Sequence, residues 1–210
     1  MKILSVNVGL PTPYEFKGKK GLTSIFKSPV DGEKKVTKLN IEGDEQADLT
    51  VHGGELKAVY SYDISYYALW KKILQRDDWT YGLFGENLTT EHLPDDEIYA
   101  GGIYKIGSVY LKAVQPRFPC FKLSVRFAND FVLKNFVKVG KHGTYFSVVQ
   151  EGRLNTGDTI TLIEKPEQAI SIQQIADAYY YKNTDRAFLK KIISLNCLPE
   201  DLKQHFIDML

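Results

Sequence analysis

The chain reads as a mixed α/β fold that is mainly β: a closed or partly closed β-barrel with helical insertions, then a small three-helix domain. Three observations predict this. Short runs of alternating polarity recur through residues 1–165, separated by glycine-bearing turns. Two stretches with apolar residues three and four apart interrupt them. After Lys165-Pro166 the alternation stops and helical stripes replace it.

Residues 2–8 alternate, with Leu4, Val6 and Val8 on one side. Residues 56–62 set Leu56, Ala58, Tyr60 and Tyr62 against Lys57, Val59 and Ser61. Residues 109–114 and 159–163 read as further strands. Turns fall at Gly53-Gly54, Gly101-Gly102, Gly107-Ser108 and Asn155-Thr156-Gly157-Asp158. Asp63 is positioned to cap a helix running to about residue 75, and Ser124 one running to about residue 137. In the tail, Ser171 and Gln174 form a capping box ahead of the stripe Ile172, Ile175, Ala176 and Tyr179. Thr184 caps a second helix bearing Phe188, Ile192 and Leu195. Pro199 opens a third, striped by Leu202, Phe206 and Met209. The expected units are residues 1–165 and 166–210. Each tail helix is too short to stand alone in water.

Composition narrows the function. The 210 residues carry 27 Lys and Arg against 26 Asp and Glu, a formal net charge of +1. Such a balance gives no global attraction to nucleic acid or to a membrane surface. No apolar run is long enough to cross a bilayer, and the first ten residues lack a signal-peptide pattern. The two cysteines, Cys120 and Cys197, argue against a disulfide framework and suit a reducing cytoplasm.

Three segments can carry chemistry. Residues 39–48, with Glu42, Asp44, Glu45 and Asp48, precede Val51-His52-Gly53-Gly54. The carboxylates read either as ligands or as a solvated acidic loop. The glycines allow close backbone approach and can present amides to an anion. His52 can bind a phosphate or donate a proton near neutral pH, although a lone histidine is more often structural. In Phe84-Gly85-Glu86-Asn87-Leu88, Asn87 can read a heterocycle or fix a loop. In Gln115-Pro116-Arg117-Phe118-Pro119-Cys120-Phe121-Lys122-Leu123, two prolines stiffen the backbone around Arg117. A cation three residues from Cys120 favours the thiolate, which attacks electrophiles and binds soft metals. The plain alternative is a small buried thiol. Cys197 has no charged frame and reads as structural. P-loop, dinucleotide-binding, His-Glu-x-x-His and Cys-x-x-Cys signatures are all missing.

Taken together and in order, these three segments resemble the MOSC family, and the helical tail resembles its stand-alone YiiM-type members. The resemblance implies a β-barrel with helical insertions and a molybdenum–pterin cofactor, with Cys120 as the protein ligand to the metal. Arg117, His52 and the Gly53 and Gly54 amides suit the cofactor's phosphate, with Asn87 also at the cofactor. It implies an oxidoreductase that removes oxygen from N-hydroxylated small molecules, such as hydroxylaminopurine-type base analogues, in cytoplasmic detoxification. No flavin, haem or iron–sulfur signature is present, so electrons would come from a separate reductase. The expected assembly is a monomer or homodimer. The rivals are a cofactor carrier or sulfur-handling protein, a binding module without cofactor, and a cysteine hydrolase. Two stretches depart from the family pattern: Gly101-Gly102, where relatives often have Gly-Asp, and 140–145, which lacks a common Gly-Trp pair.

Overall fold

The computed structural model describes residues 1–47, 53–181 and 185–210. Twelve strands occur among them: β1 (Lys2–Val8), β2 (Thr12–Phe16), β3 (Lys19–Thr23), β4 (Ser28–Val30), β5 (Lys34–Val36), β6 (Val59–Asp63), β7 (Leu88–Glu91), β8 (Ile103–Ile106), β9 (Val109–Pro116), β10 (Thr144–Gln150), β11 (Gly152–Leu154) and β12 (Ile160–Glu164). The helices are α1 (Ile64–Leu74), α2 (Lys122–Arg126), α3 (Phe131–Val139), α4 (Ile172–Tyr180), α5 (Arg186–Ile193) and α6 (Glu200–Ile207).

Eight strands form one mixed sheet in the order β12-β8-β9-β10-β6-β7-β1-β4. The sheet curls until β1 meets the start of β12, where Lys2 and Thr159 make an isolated bridge. Ile3 N donates to Asp158 O at 2.9 Å and Ile160 N to Met1 O at 3.0 Å. Among the described residues no continuous ladder joins the two ends, so the sheet is not a closed barrel. The partly closed form of the expectation holds; the fully closed form does not.

Local signals account for several elements. Asp63 caps α1 by accepting from Ser65 N at 2.9 Å. Ser171 and Gln174 make the reciprocal capping box at α4. Pro199 is the N-cap of α6, and Leu202 and Phe206 are buried beneath it. Three expectations change. The alternation in β1 is broken by a bulge between Ile3 and Ser5, so Ile3 and Val6 are buried while Leu4 and Val8 are only partly covered. The strand expected over 56–62 begins at Val59, after a 3-10 turn at Glu55–Lys57. Ser124 does not cap a long helix; it is buried inside α2. The chain breaks at Ala128, which has φ 53°, and α3 restarts at Phe131. Thr184 lies outside the described residues.

One apolar cluster joins sheet residues such as Tyr104 and Leu111 to tail residues Ile175, Leu189, Ile192 and Phe206. A second, richer in aromatics, holds Tyr62, Tyr66, Trp70, Phe84 and Phe136 under α1 and α3. α4 packs on β9, the strand that leads to Cys120. Among the described residues, no helix is long and apolar enough to cross a membrane.

Candidate functional site

A cavity of about 500 Å³ opens where all three chemistry-bearing segments converge. Its wall includes Asp44–Ala47 and Gly53 from the first segment, Phe84, Gly85 and Asn87 from the second, and 115–120 with Lys122 from the third. Tyr179 of α4 and Asp201, Leu202 and His205 of α6 complete it.

Cys120 sits in the turn between β9 and α2. β9 pairs with β10 as far as Pro116 opposite Thr144. Arg117 N then donates to Gly143 O at 3.0 Å, which extends the pairing by one residue. Pro116 and Pro119 carry no N–H, so the ladder ends here and the chain is free to turn. Leu123 N donates to Cys120 O at 3.0 Å and starts the α2 turn. Cys120 is half-buried and not in a disulfide.

Arg117 is buried, with its guanidinium over the rings of Phe136 at 5.1 Å and Tyr60 at 5.6 Å. The Tyr145 hydroxyl lies against it. Nη1 has no hydrogen-bond partner, and no carboxylate pairs with the side chain, among the described residues. Burial works against the charge, but Tyr60 and Cys120 nearby hold the guanidinium protonated. A buried cation with an unmatched N–H is costly unless something else completes it.

The opposite face of the Arg117 backbone contact is fixed by Asp95, which sequence reading did not single out. Its carboxylate accepts from Gly143 N at 2.9 Å, His142 N at 3.0 Å and Thr144 Oγ1 at 3.3 Å. Gly143 must be glycine: φ is 73°, and a Cβ would fall 2.5 Å from Ser61 O. His142 is buried and stacked on Tyr180 with centroids 5.2 Å apart, so it packs instead of lining the cavity.

The second segment serves two purposes. Glu86 is fully buried and turns away from the cavity. It accepts from Gly82 N at 2.9 Å, Phe84 N at 3.0 Å, Thr89 Oγ1 at 2.9 Å and the Tyr67 hydroxyl. Asn87 lines the cavity, but its amide is occupied. Oδ1 accepts from Tyr60 N at 3.1 Å, and Nδ2 donates to Asp44 Oδ2 at 2.9 Å and Asn7 O at 3.3 Å. Asp44 also accepts from Gly9 N at 2.8 Å and from Lys27 in a buried ion pair. The loop-fixing role weighed for Asn87 is therefore present, and Asp44 belongs to the same network.

His52 lies outside the described residues, as do Asp48 and Val51. Gly53 and Gly54 both have positive φ, 97° and 79°. Gly53 lines the cavity, while Gly54 precedes the 3-10 turn and faces open space. Gly101 and Gly102 do not line the cavity. A Cβ on Gly102 would come within 2.9 Å of Tyr99 O, so the family's Asp would crowd this turn.

Sequence reading missed Lys27, Tyr145, Ser24 and the tail residues, because their burial and convergence depend on tertiary packing. Among the described residues, no three His, Cys, Asp or Glu side chains converge where they could hold a metal ion. A metal here would have to bring most of its own ligands. One cysteine thiol and a buried, incompletely bonded guanidinium in a single cavity fit a metal carried on an anionic organic ligand.

The sequence model of the MOSC domain matches residues 48–161. The chain belongs to the MOSC domain family. The uncharacterized protein YflK of Bacillus subtilis (strain 168) is 33% identical over 205 residues, covering 98% of this chain and 92% of YflK. A protein named "Reductase" from Gibberella moniliformis is 34% identical over 181 residues, 85% of this chain but 30% of its own length. The crystal structure of YiiM from Geobacillus stearothermophilus superposes with a TM-score of 0.83 at 32% identity, covering 100% of this chain and 98% of that one. The MOSC fold of this chain is thus YiiM-like across the tail as well as the sheet.

Proposed function

We propose that this MOSC protein is a molybdenum-cofactor-dependent oxidoreductase that reduces N-hydroxylated small molecules, such as hydroxylaminopurine-type base analogues, in cytoplasmic detoxification. The observation that carries the reading is the pairing, in one cavity, of Cys120 with a buried Arg117 whose Nη1 lacks a partner among the described residues. The reductase among the relatives supports the reaction class.

Cys120 would be the protein ligand to the metal. Arg117 would hold the cofactor's anionic group, with the Gly53 amide and His52 as further candidates. Ser24, a residue of the cavity wall whose Oγ is unpartnered among the described residues, adds a donor. Asn87, Asp44 and Lys27 keep the loop beside them in shape. When bound, the cofactor supplies two-electron redox chemistry at a thiophilic metal. The overall change is R–NHOH plus two electrons and two protons giving R–NH2 and water. The electrons come from an external reductase partner. Phe84, Phe118 and Tyr145 give the cavity an aromatic lining.

The test is conversion of benzamidoxime to benzamidine by protein from a cofactor-competent host, with reduced methyl viologen as electron donor. Turnover that Cys120→Ser abolishes is expected. Molybdenum-bearing protein that turns over neither benzamidoxime nor 6-hydroxylaminopurine would overturn the reductase reading in favour of a cofactor carrier.

A further inference from the structure

Four residues of the cavity wall come from beyond Lys165: Tyr179, Asp201, Leu202 and His205. The tail therefore contributes directly to the site. Its contribution is ordered by a ladder of rings. Phe118, two residues from Cys120, packs on Tyr179 with centroids 4.2 Å apart. Tyr179 stacks in turn on His205 at 4.1 Å and 26°. The ladder thus runs from the Cys120 turn through α4 to α6. Ring contacts of this kind fix orientation as well as burying apolar surface.

The last ring carries an unused polar atom. Nε2 of His205 is buried and has no hydrogen-bond partner among the described residues. A polar atom left unpaired is costly, so an orphaned nitrogen on a residue that lines the cavity is available to a ligand. A half turn of the imidazole exchanges Nε2 with Cε1 without moving α6. Arg117 and Ser24 have unpaired atoms too, but both belong to the sheet side. Of the four tail residues on the wall, His205 is the one with a buried polar atom left unpaired among the described residues.

We propose that α4 and α6 form the substrate-binding wall of the cavity, with His205 Nε2 hydrogen-bonding the N–O group of the substrate and Tyr179 as the positioning residue that holds the imidazole. This rests on the reductase reading for the identity of the ligand. Imidazole suits the task because one nitrogen can accept from the N–OH hydroxyl or donate to its oxygen. Leu202 offers the apolar surface beside it.

The test uses oxidised full-length protein without reductant, so that no turnover occurs. Benzamidoxime is titrated into wild type, His205→Ala, His205→Gln and Tyr179→Leu, while molybdenum per chain and the histidine ring resonances are followed. The expected result is a shifted His205 resonance and binding about tenfold weaker in His205→Ala, the worth of one hydrogen bond in a dry site. His205→Gln should recover part of the loss, and Tyr179→Leu should weaken binding less. Metal content should be equal throughout. Unmoved His205 resonances with equal binding by all variants would overturn the proposal. So would loss of molybdenum in His205→Ala, which would assign the residue to the cofactor. Wild type without molybdenum and without benzamidoxime binding would overturn the reductase reading as well, whereas metal-bearing wild type indifferent to His205 would overturn this inference alone.

Discussion

Glu86 and Arg117 are both charged, both buried, and both inside segments that stood out in the sequence, yet their surroundings differ. Each Glu86 oxygen is claimed by backbone or hydroxyl donors, four in all. Burial pushes its carboxyl up, and these donors pull it back. Arg117 has aromatic faces and one tyrosine hydroxyl around it, and Nη1 is left over among the described residues. Burial and charge are common to both residues; completeness of hydrogen bonding separates them. A buried charge whose bonds are complete holds the fold, and one whose bonds are incomplete beside a cavity is available to a ligand.

The sharpest way to break this contrast is to remove each charge. Glu86→Ala strands four donors and should cost about 3–5 kcal/mol, lowering the thermal midpoint by roughly 10 °C or preventing folding. Calorimetry or circular dichroism checks it. Lys27→Met leaves Asp44 with Gly9 N and Asn87 Nδ2 but no cation, at a cost of about 2–3 kcal/mol. Arg117→Met should leave stability within about 1 kcal/mol of wild type, because an unmatched buried cation contributes little. Molybdenum content should nevertheless fall. An Arg117 variant that unfolds like the Glu86 variant would erase the distinction.

A smaller effect concerns pH. Burial, helped by the nearby Arg117 charge, pushes His142 down from 6.5 to about 4. Between those values the unfolded chain binds more protons at this residue than the folded one, so His142 lowers stability as pH falls through that window. Asp95 acts in the opposite direction. Burial pushes it up from 3.8 to about 6, so the folded state binds the extra proton and gains on acidification. His142→Phe removes the first contribution and keeps the packing on Tyr180. The variant should gain on wild type by about 3 kcal/mol as pH falls from 6.5 to 4. Parallel pH profiles would show instead that His142 is not held neutral.

The sequence exposed what is decided locally. Asp63 and the Ser171–Gln174 box cap helices through atoms two and three residues away, so their spacing is enough to reveal them. The break between α2 and α3 was hidden, because Ala128 adopts a left-handed conformation that its residue type does not announce. The β2–β3 hairpin was also missed. Its strands are mostly exposed and carry no buried alternation, and its turn at Lys17-Gly18 gives only a weak signal. At the site, the three motif segments were legible and do line one cavity. The tail wall was not, since nothing near His205 in the chain shows that α6 reaches the cavity. Nor can a sequence show which of two buried charges has its bonds complete.

The most direct measurement is molybdenum per chain, by elemental analysis, in wild type and Cys120→Ser purified in parallel from a host that makes the cofactor, with circular dichroism to show both folded. The account predicts near-stoichiometric metal in wild type and little in the variant. Equal metal in both, or none in either after attempted reconstitution, would contradict it.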